Sequence, residues 1–158
     1  DEFIDKDLTM RDYLSEIISS FKEISKKRFI FNFDQFSNVK KITKSIEIVY
    51  GLRNFIGNAN KFSKEAIYIN LKSDSEFTEI TIEDDGNGYP KDVLSKIGEP
   101  YLRSKDPIDK SKTGLGLGLF IGKTLLEKNF ASINCRNSKT RTGAEVIIKW
   151  NNKDLFNI

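Results

Sequence analysis

Asn54, Asn58 and Lys61 are spaced by four and then three residues, which on a helix sets them on one face, a turn apart each time. An asparagine amide offers a neutral oxygen that ligates a hard cation, and lysine offers a charge suited to phosphate. Asparagine is also a poor helix former, because its amide competes for backbone hydrogen bonds, so Asn54, Asn58 and Asn60 in an apolar-periodic stretch ask for a purpose. Further on, "EDDGNGYP" sets Asp84 beside Gly86 and Gly88. The glycines permit a tight turn or close approach of a ligand to backbone, and the carboxylate is able to accept from an exocyclic amine such as that of adenine. A third string, "KTGLGLGLF", alternates Gly114, Gly116 and Gly118 with Leu115 and Leu117 ahead of "IGKTLLEK". Glycines at the start of a helix expose unpaired N–H groups where the macrodipole favours anions. Taken singly, a solvated helix face, an ordinary Asp-Gly turn and a flexible hinge account for the three strings. Taken in order, they supply a cation-and-phosphate face, an adenine-type acceptor and a phosphate-cradling helix start.

Composition narrows the chemistry further. The chain of 158 residues contains no histidine, which removes His-dependent general bases, Ser-His-Asp and Cys-His pairs and the usual zinc sites. Its single cysteine, Cys135, cannot form an intrachain disulfide and reads as a small buried strand residue. A net charge of +3 with scattered Lys and Arg argues against a nucleic-acid surface. No run of about 18 apolar residues is present, so no transmembrane segment is expected. Gly122, Lys123 and Thr124 lack the upstream glycine of a Walker loop.

The elements that must position these residues follow from periodicity. Met10, Tyr13, Leu14, Ile17, Ile18, Phe21 and Ile24 form one helical stripe, with Thr9 and Asp12 resembling a capping box. "RFIFNF" reads as a strand followed by a polar turn near Ser37 and Asn38. Ile48, Val49, Leu52, Phe55, Ile56 and Ala59 make a second helical stripe, with the polar row of Asn54, Asn58 and Lys61 expected to look away from the core. "AIYINLKS" and "FTEITIED" form a hairpin, "KDVLSKI" a short helix, and "SKDPIDKSKTG" a loop. The chain returns to helix at "LGLFIGKTLLEK" and closes on the strands "SINCRN" and "AEVIIKW". The expected fold is α+β, a two-layer sandwich with helices on one face of a mixed, mostly antiparallel sheet.

These strings, in this order, resemble the ATP-binding catalytic domain of sensor histidine kinases, within the GHKL group of the Bergerat fold. "NFIGNANKFS" is similar to the N box, "DDGNGYP" to the G1 box, "EPYLRSK" to the F box and "GLGLGL" to the G2 box, with Gly143 and Ala144 where a last glycine motif is usual. Within the group, "GLRNFIGNANKFS", "IGEPYLRSK" and "GLGLGLFIGKTLLE" look closest to the redox-responsive RegB/PrrB type. The resemblance implies ATP and Mg²⁺ as cofactors. It implies Asn58 as the Mg²⁺ ligand with Asn54 assisting, Lys61 on phosphate, and Phe62, Asp84, Gly86 and Gly88 around the adenine. Tyr101 and Arg103 of the F-box segment, with Gly114, Leu115, Gly116, Leu117 and Gly118, would bind the nucleotide further along. The loop from about Arg103 to Thr113 would be the lid.

By the same resemblance, the γ-phosphoryl group passes to a histidine on a separate dimerisation domain and is relayed to the receiver domain of a response regulator. Hydrolysing members usually carry a glutamate where Asn54 stands, and an amide cannot accept a proton from water. Gly98 replaces the usual phenylalanine of the F box. The expected organisation is a hinge at residues 1–8 leaving a dimerisation hairpin, the ATP-binding domain at 9–150 and a tail at 151–158. Such a piece would be the cytosolic part of a membrane-anchored sensor, without nucleic-acid or membrane contact of its own. An ATP-sensing or docking module without transfer, and a serine kinase of the anti-sigma type, are the other readings open.

Overall fold

The computed structural model describes residues 8–34, 40–42, 45–97 and 110–156, with side chains from 118 onward in the last segment. The turn near Ser37 and Asn38, Gly98, and Tyr101 and Arg103 with the lid residues up to 109 lie outside the described residues.

The first helix, α1 (Met10–Lys22), follows a two-residue strand, β1 (Leu8–Thr9). Thr9 caps it, its hydroxyl accepting from the Asp12 N–H at 3.2 Å, so the capping signal is realised. Met10, Tyr13, Leu14, Ile17 and Ile18 are buried as the stripe predicts. Ile24 is not: α1 ends at Lys22, which carries Ile24 off the helical face and leaves it 81% exposed. Strand β2 (Arg28–Phe33) comes next, then β3 (Lys41–Ile42), which pairs antiparallel with β1 in a small second sheet that the periodicity did not reveal.

The second helix, α2 (Ile46–Phe62), is capped by the Ser45 hydroxyl, which accepts from Ile48 N–H. At its other end the Lys27 ammonium donates to the carbonyls of Asn60 and Ser63, a cation at the negative end of the helix dipole. The predicted hairpin is present as β4 (Ala66–Ser73) and β5 (Phe77–Asp84). A short helix, α3 (Lys91–Lys96), follows Pro90. The chain ends with α4 (Lys110–Lys128), β6 (Ser132–Asn137), β7 (Ala144–Asn151) and a one-turn helix, α5 (Asn152–Leu155).

The main sheet has the order β2-β4-β5-β7-β6, with only the β2–β4 pair parallel. It is therefore mixed and mostly antiparallel, the α+β architecture expected. Alternation along the strands sends Ile67, Ile69 and Leu71, then Ile80 and Ile82, then Val146, Ile148 and Trp150 to one face. That face packs with α1, α2 and α4 into a single core. Tyr68, Asn70, Lys72, Glu79 and Lys149 occupy the other face, which is polar. The core includes Leu155, so the last helix closes it at the end of β7.

Two expectations about α4 and its neighbour are corrected. The segment Lys110–Thr113, read as loop, is helical, and Gly114, Gly116 and Gly118 lie inside α4 instead of at its start. Each glycine weakens a helix by about 1 kcal/mol, but extending an existing helix gains a hydrogen bond per residue, and lysine and leucine favour it. The polar row on α2 does not look away from the core as a unit. Helix α4 lies on the Asn58 flank, because Gly51, Gly118 and Gly122 leave room for a close crossing. A Cβ at 122 would meet the Phe55 ring at 2.8 Å, and one at 51 would meet Leu126 at 2.6 Å.

Candidate functional site

Where α2 and α4 meet the ends of β5 and β7 there is a cavity of about 230 Å³. Its walls are mostly apolar, among them Phe55, Phe62, Ile82, Tyr89 and Leu119, and its polar groups come from Asn58, Asp84 and Asn87. Pockets for planar organic ligands have this composition, with few polar groups to fix orientation.

Asp84 ends β5 and is 5% exposed. Its Oδ1 accepts from Gly86 N–H at 2.8 Å and Ala144 N–H at 3.3 Å, which fixes the carboxylate. Among the described residues Oδ2 has no hydrogen-bond partner, and Asp84 lines the cavity. Burial raises its pKa, partly offset by the two N–H donors. Neighbouring Asp85, which the sequence reading left without a role, turns the other way. Burial would raise its carboxyl, but the N–H groups of Glu65, Lys64 and Ala66 outweigh that and hold it below the ordinary range. Asp85 thus ties the turn after α2 to the end of β5.

The glycines fit this corner by steric need. A Cβ at Gly86 would stand 2.1 Å from the Phe62 carbonyl, and one at Gly143 would stand 2.1 Å from the Asp84 carbonyl. Gly88 has φ +80°, a left-handed conformation that costs a side-chain-bearing residue about 1–2 kcal/mol. Tyr89 then turns into the cavity wall. Its phenol lies near Cys135; burial pushes the phenol up, and burial likewise raises the thiol to about 11. A thiol so held is inert, in keeping with a structural cysteine.

The three asparagines of α2 divide the work. Asn60 accepts from the Ser25 hydroxyl at 2.7 Å and joins α2 to the α1–β2 connection. Asn54 donates from Nδ2 to the Tyr50 carbonyl one turn back, and it does not line the cavity. Asn58 faces the cavity, with Nδ2 buried and without a hydrogen-bond partner. A Cβ at Gly118 would stand 2.8 Å from the Asn58 oxygen, so this glycine makes room for the amide. Lys61 is exposed beside the cavity, its ammonium 5.4 Å from the Phe62 ring centroid.

The structure therefore brings Asn58, Phe62, Asp84, Gly86, Gly88 and Gly118 to one corner and leaves Asn54 and Lys61 outside its lining. The residues at 114–117 are helical in backbone, so their N–H groups are engaged along α4. Tyr89, within "DDGNGYP", lines the cavity and Asn137 bonds to its backbone, and the sequence assigned neither of them a role.

Among the described residues no cluster of three or more His, Cys, Asp or Glu is built to hold a metal. Asn58 is the residue of this corner that would hold a Mg²⁺ ion, through its amide oxygen. Mg²⁺ at nucleotides usually takes few protein ligands, and the unpartnered amide fits that mode.

Residues 43–154 match the family described as histidine kinase-, DNA gyrase B-, and HSP90-like ATPase. Sensor histidine kinase RegB of Cereibacter sphaeroides is 36% identical over 124 residues, 69% of this chain and 27% of that protein. A putative NtrY-like sensor histidine kinase of Rickettsia bellii is 27% identical over 128 residues, 80% of this chain and 20% of that protein. The chain thus spans about a quarter of the length of these curated relatives. Among solved structures, the nucleotide-free catalytic domain of histidine kinase ThkA superposes with a TM-score of 0.70 at 19% identity, covering 92% of this chain and 95% of that one. Full-length ShkA in complex with AMPPNP superposes with a TM-score of 0.72 at 16% identity, covering 92% of this chain and 30% of that one.

Proposed function

The chain belongs to the histidine kinase-, DNA gyrase B-, and HSP90-like ATPase family, and from that premise we propose that it is the catalytic ATP-binding domain of a two-component sensor histidine kinase. It binds Mg-ATP and delivers the γ-phosphoryl group to a histidine on a separate dimerisation domain, for relay to a response regulator. The parent protein is a membrane-anchored sensor and this domain works on its cytosolic side; no helix among the described residues is long and apolar enough to cross a membrane. The observation that carries the reading is the pairing, across one apolar cavity, of a carboxylate with a spare oxygen and a buried amide nitrogen, neither atom having a partner among the described residues.

In this mechanism Asp84 Oδ2 accepts from the adenine amine while Oδ1 stays locked to backbone. Phe55, Phe62, Tyr89 and Leu119 exclude water from the ring. Asn58 would hold the Mg²⁺, which would supply charge to neutralise the phosphates. Lys61 offers a further positive charge at the cavity mouth; the phosphate contacts that the resemblance implies for Tyr101, Arg103 and Gly114 to Gly118 would require the start of α4 to open from its helical form. Asn54 has its nitrogen committed to Tyr50 and offers only an amide oxygen, which takes no proton from water. Rate enhancement comes from positioning and charge neutralisation, which suits transfer to a nucleophile better than hydrolysis.

Titration calorimetry with a non-hydrolysable ATP analogue, with and without Mg²⁺, tests binding; absence of Mg²⁺-dependent heat at millimolar nucleotide overturns the reading. Adding the histidine-bearing hairpin of a RegB-type kinase and following label from γ-labelled ATP tests transfer. A second reading, nucleotide binding without transfer, is favoured by the helical backbone at Gly114–Gly118, whose N–H groups are not free for phosphate. Label on the hairpin histidine excludes it.

A further inference from the structure

Asn137, the last residue of β6, reaches across to the turn that follows Asp84. Its Oδ1 accepts from the Tyr89 N–H at 2.6 Å, and its Nδ2 donates to the Tyr89 carbonyl at 3.3 Å. Both bonds go to backbone, so the amide grips the peptide framework of Tyr89 on either side of its Cα. The same Oδ1 lies 2.7 Å from where a Cβ on Gly88 would stand, so the left-handed turn and the amide are fitted to one another. Two residues earlier on the strand, Cys135 lies near the Tyr89 phenol. Strand β6 therefore holds Tyr89 at its backbone, and Tyr89 lines the cavity.

The segment that follows Asn137 is fastened to β5 on its own account. Ser138 and Thr140 donate to Glu83, Arg141 pairs with Glu83 at 3.5 Å, and the Thr142 hydroxyl donates to the Asp85 carbonyl at 3.2 Å. The Arg141 guanidinium also stacks 3.4 Å from the Tyr68 ring centroid. Asn137 thus projects from an anchored turn, and its grip on Tyr89 is backed by the sheet and does not float with the loop it holds.

We propose that Asn137 is a positioning residue for nucleotide binding: by gripping the Tyr89 backbone it sets the wall of the base cavity opposite α2 and keeps the glycine turn in its left-handed form. It touches no ligand and acts only through Tyr89 and Gly88. The inference rests on the nucleotide-site reading of the cavity.

The test compares the wild-type chain with Asn137→Leu, which neither donates nor accepts, and Asn137→Asp, which keeps the acceptor for the Tyr89 N–H. Affinity for a non-hydrolysable ATP analogue with Mg²⁺ and the thermal midpoint are measured for each. The expected result is a loss of affinity of roughly tenfold or more in Asn137→Leu, recovery to within about threefold of wild type in Asn137→Asp, and midpoints that do not track that order. If Asn137→Leu does not fold, Asn137→Ser, too short to span the gap, reads the same loss. Wild-type affinity in the Leu or Ser variant overturns the proposal, as does a loss in all variants that scales with their midpoints. Absence of binding by the wild-type chain instead sinks the nucleotide reading itself, and the proposal with it.

Discussion

Asp84 and Asp85 are adjacent carboxylates on one chain, yet burial wins at the first and hydrogen bonding at the second. Because the folded-state pKa of Asp84 is raised, its contribution to stability is fully present below the unfolded value of 3.8 and is lost as pH rises through the folded value. Adenine recognition needs the ionised form and so runs in the opposite direction. Nucleotide affinity should fall on acidification at a pH above that of an ordinary aspartate, read by calorimetry between pH 7 and about pH 4. For Asp84→Asn at neutral pH, we expect affinity to drop about 10- to 100-fold, since an amide nitrogen facing the adenine amine sets donor against donor. The thermal midpoint should not fall, because the charge removed was held at a cost. Asn58→Ala should abolish phosphoryl transfer while leaving the midpoint within a few degrees, since the lost amide has no partner to strand. Asp84 was singled out in the sequence by its place before two spaced glycines, and it lines the cavity. Asn137 was not, because its partners are backbone atoms 48 residues away and nothing in its neighbourhood encodes them.

At the scale of elements, α2 and α4 cross through glycines, and that crossing is what turns Asn58 from a surface residue into a cavity residue. Gly122→Ala would drive a methyl into the Phe55 ring and should destabilise by about 1–3 kcal/mol, measurable by urea unfolding. The far end of α4 carries the opposite opportunity. Its carbonyls are satisfied by Ala131 N–H to Leu126 and Phe130 N–H to Glu127, and Phe130 takes the left-handed position at φ 71° with 62% of its surface exposed. Phe130→Gly should stabilise by about 0.5–1 kcal/mol, seen as a rise in thermal midpoint, because glycine adopts that conformation without strain. The buried stripe of α2 could be read from spacing alone, since a 3.6-residue period over a long helix is unambiguous. The start of α4 could not be, since a lysine- and glycine-rich segment has no periodicity to separate helix from loop. Ile24 failed for a related reason: a stripe shows which face is apolar but not where the helix stops.

For the molecule as a whole, the order of helices and hairpins foretold the two-layer sandwich, because alternation along β4, β5 and β7 leaves one apolar face that the helices must cover. The parallel β2–β4 pair and the small β1–β3 sheet were out of reach, being contacts between segments too far apart or too short to leave a pattern. The single tryptophan, Trp150, is fully buried and donates its indole N–H to the Asn129 carbonyl at 3.0 Å, where the end of α4 meets β7. Asn58, at the other end of the same helix crossing, has a buried amide nitrogen that bonds to none of the described residues. A buried donor in that condition costs about 1–3 kcal/mol, so the crossing of α2 and α4 carries that cost at a point that faces the cleft. A phosphate oxygen reaching this nitrogen would accept from it and remove that cost. Occupancy should therefore tighten the packing of α2 against α4 beyond the cleft itself, slowing amide exchange along both helices.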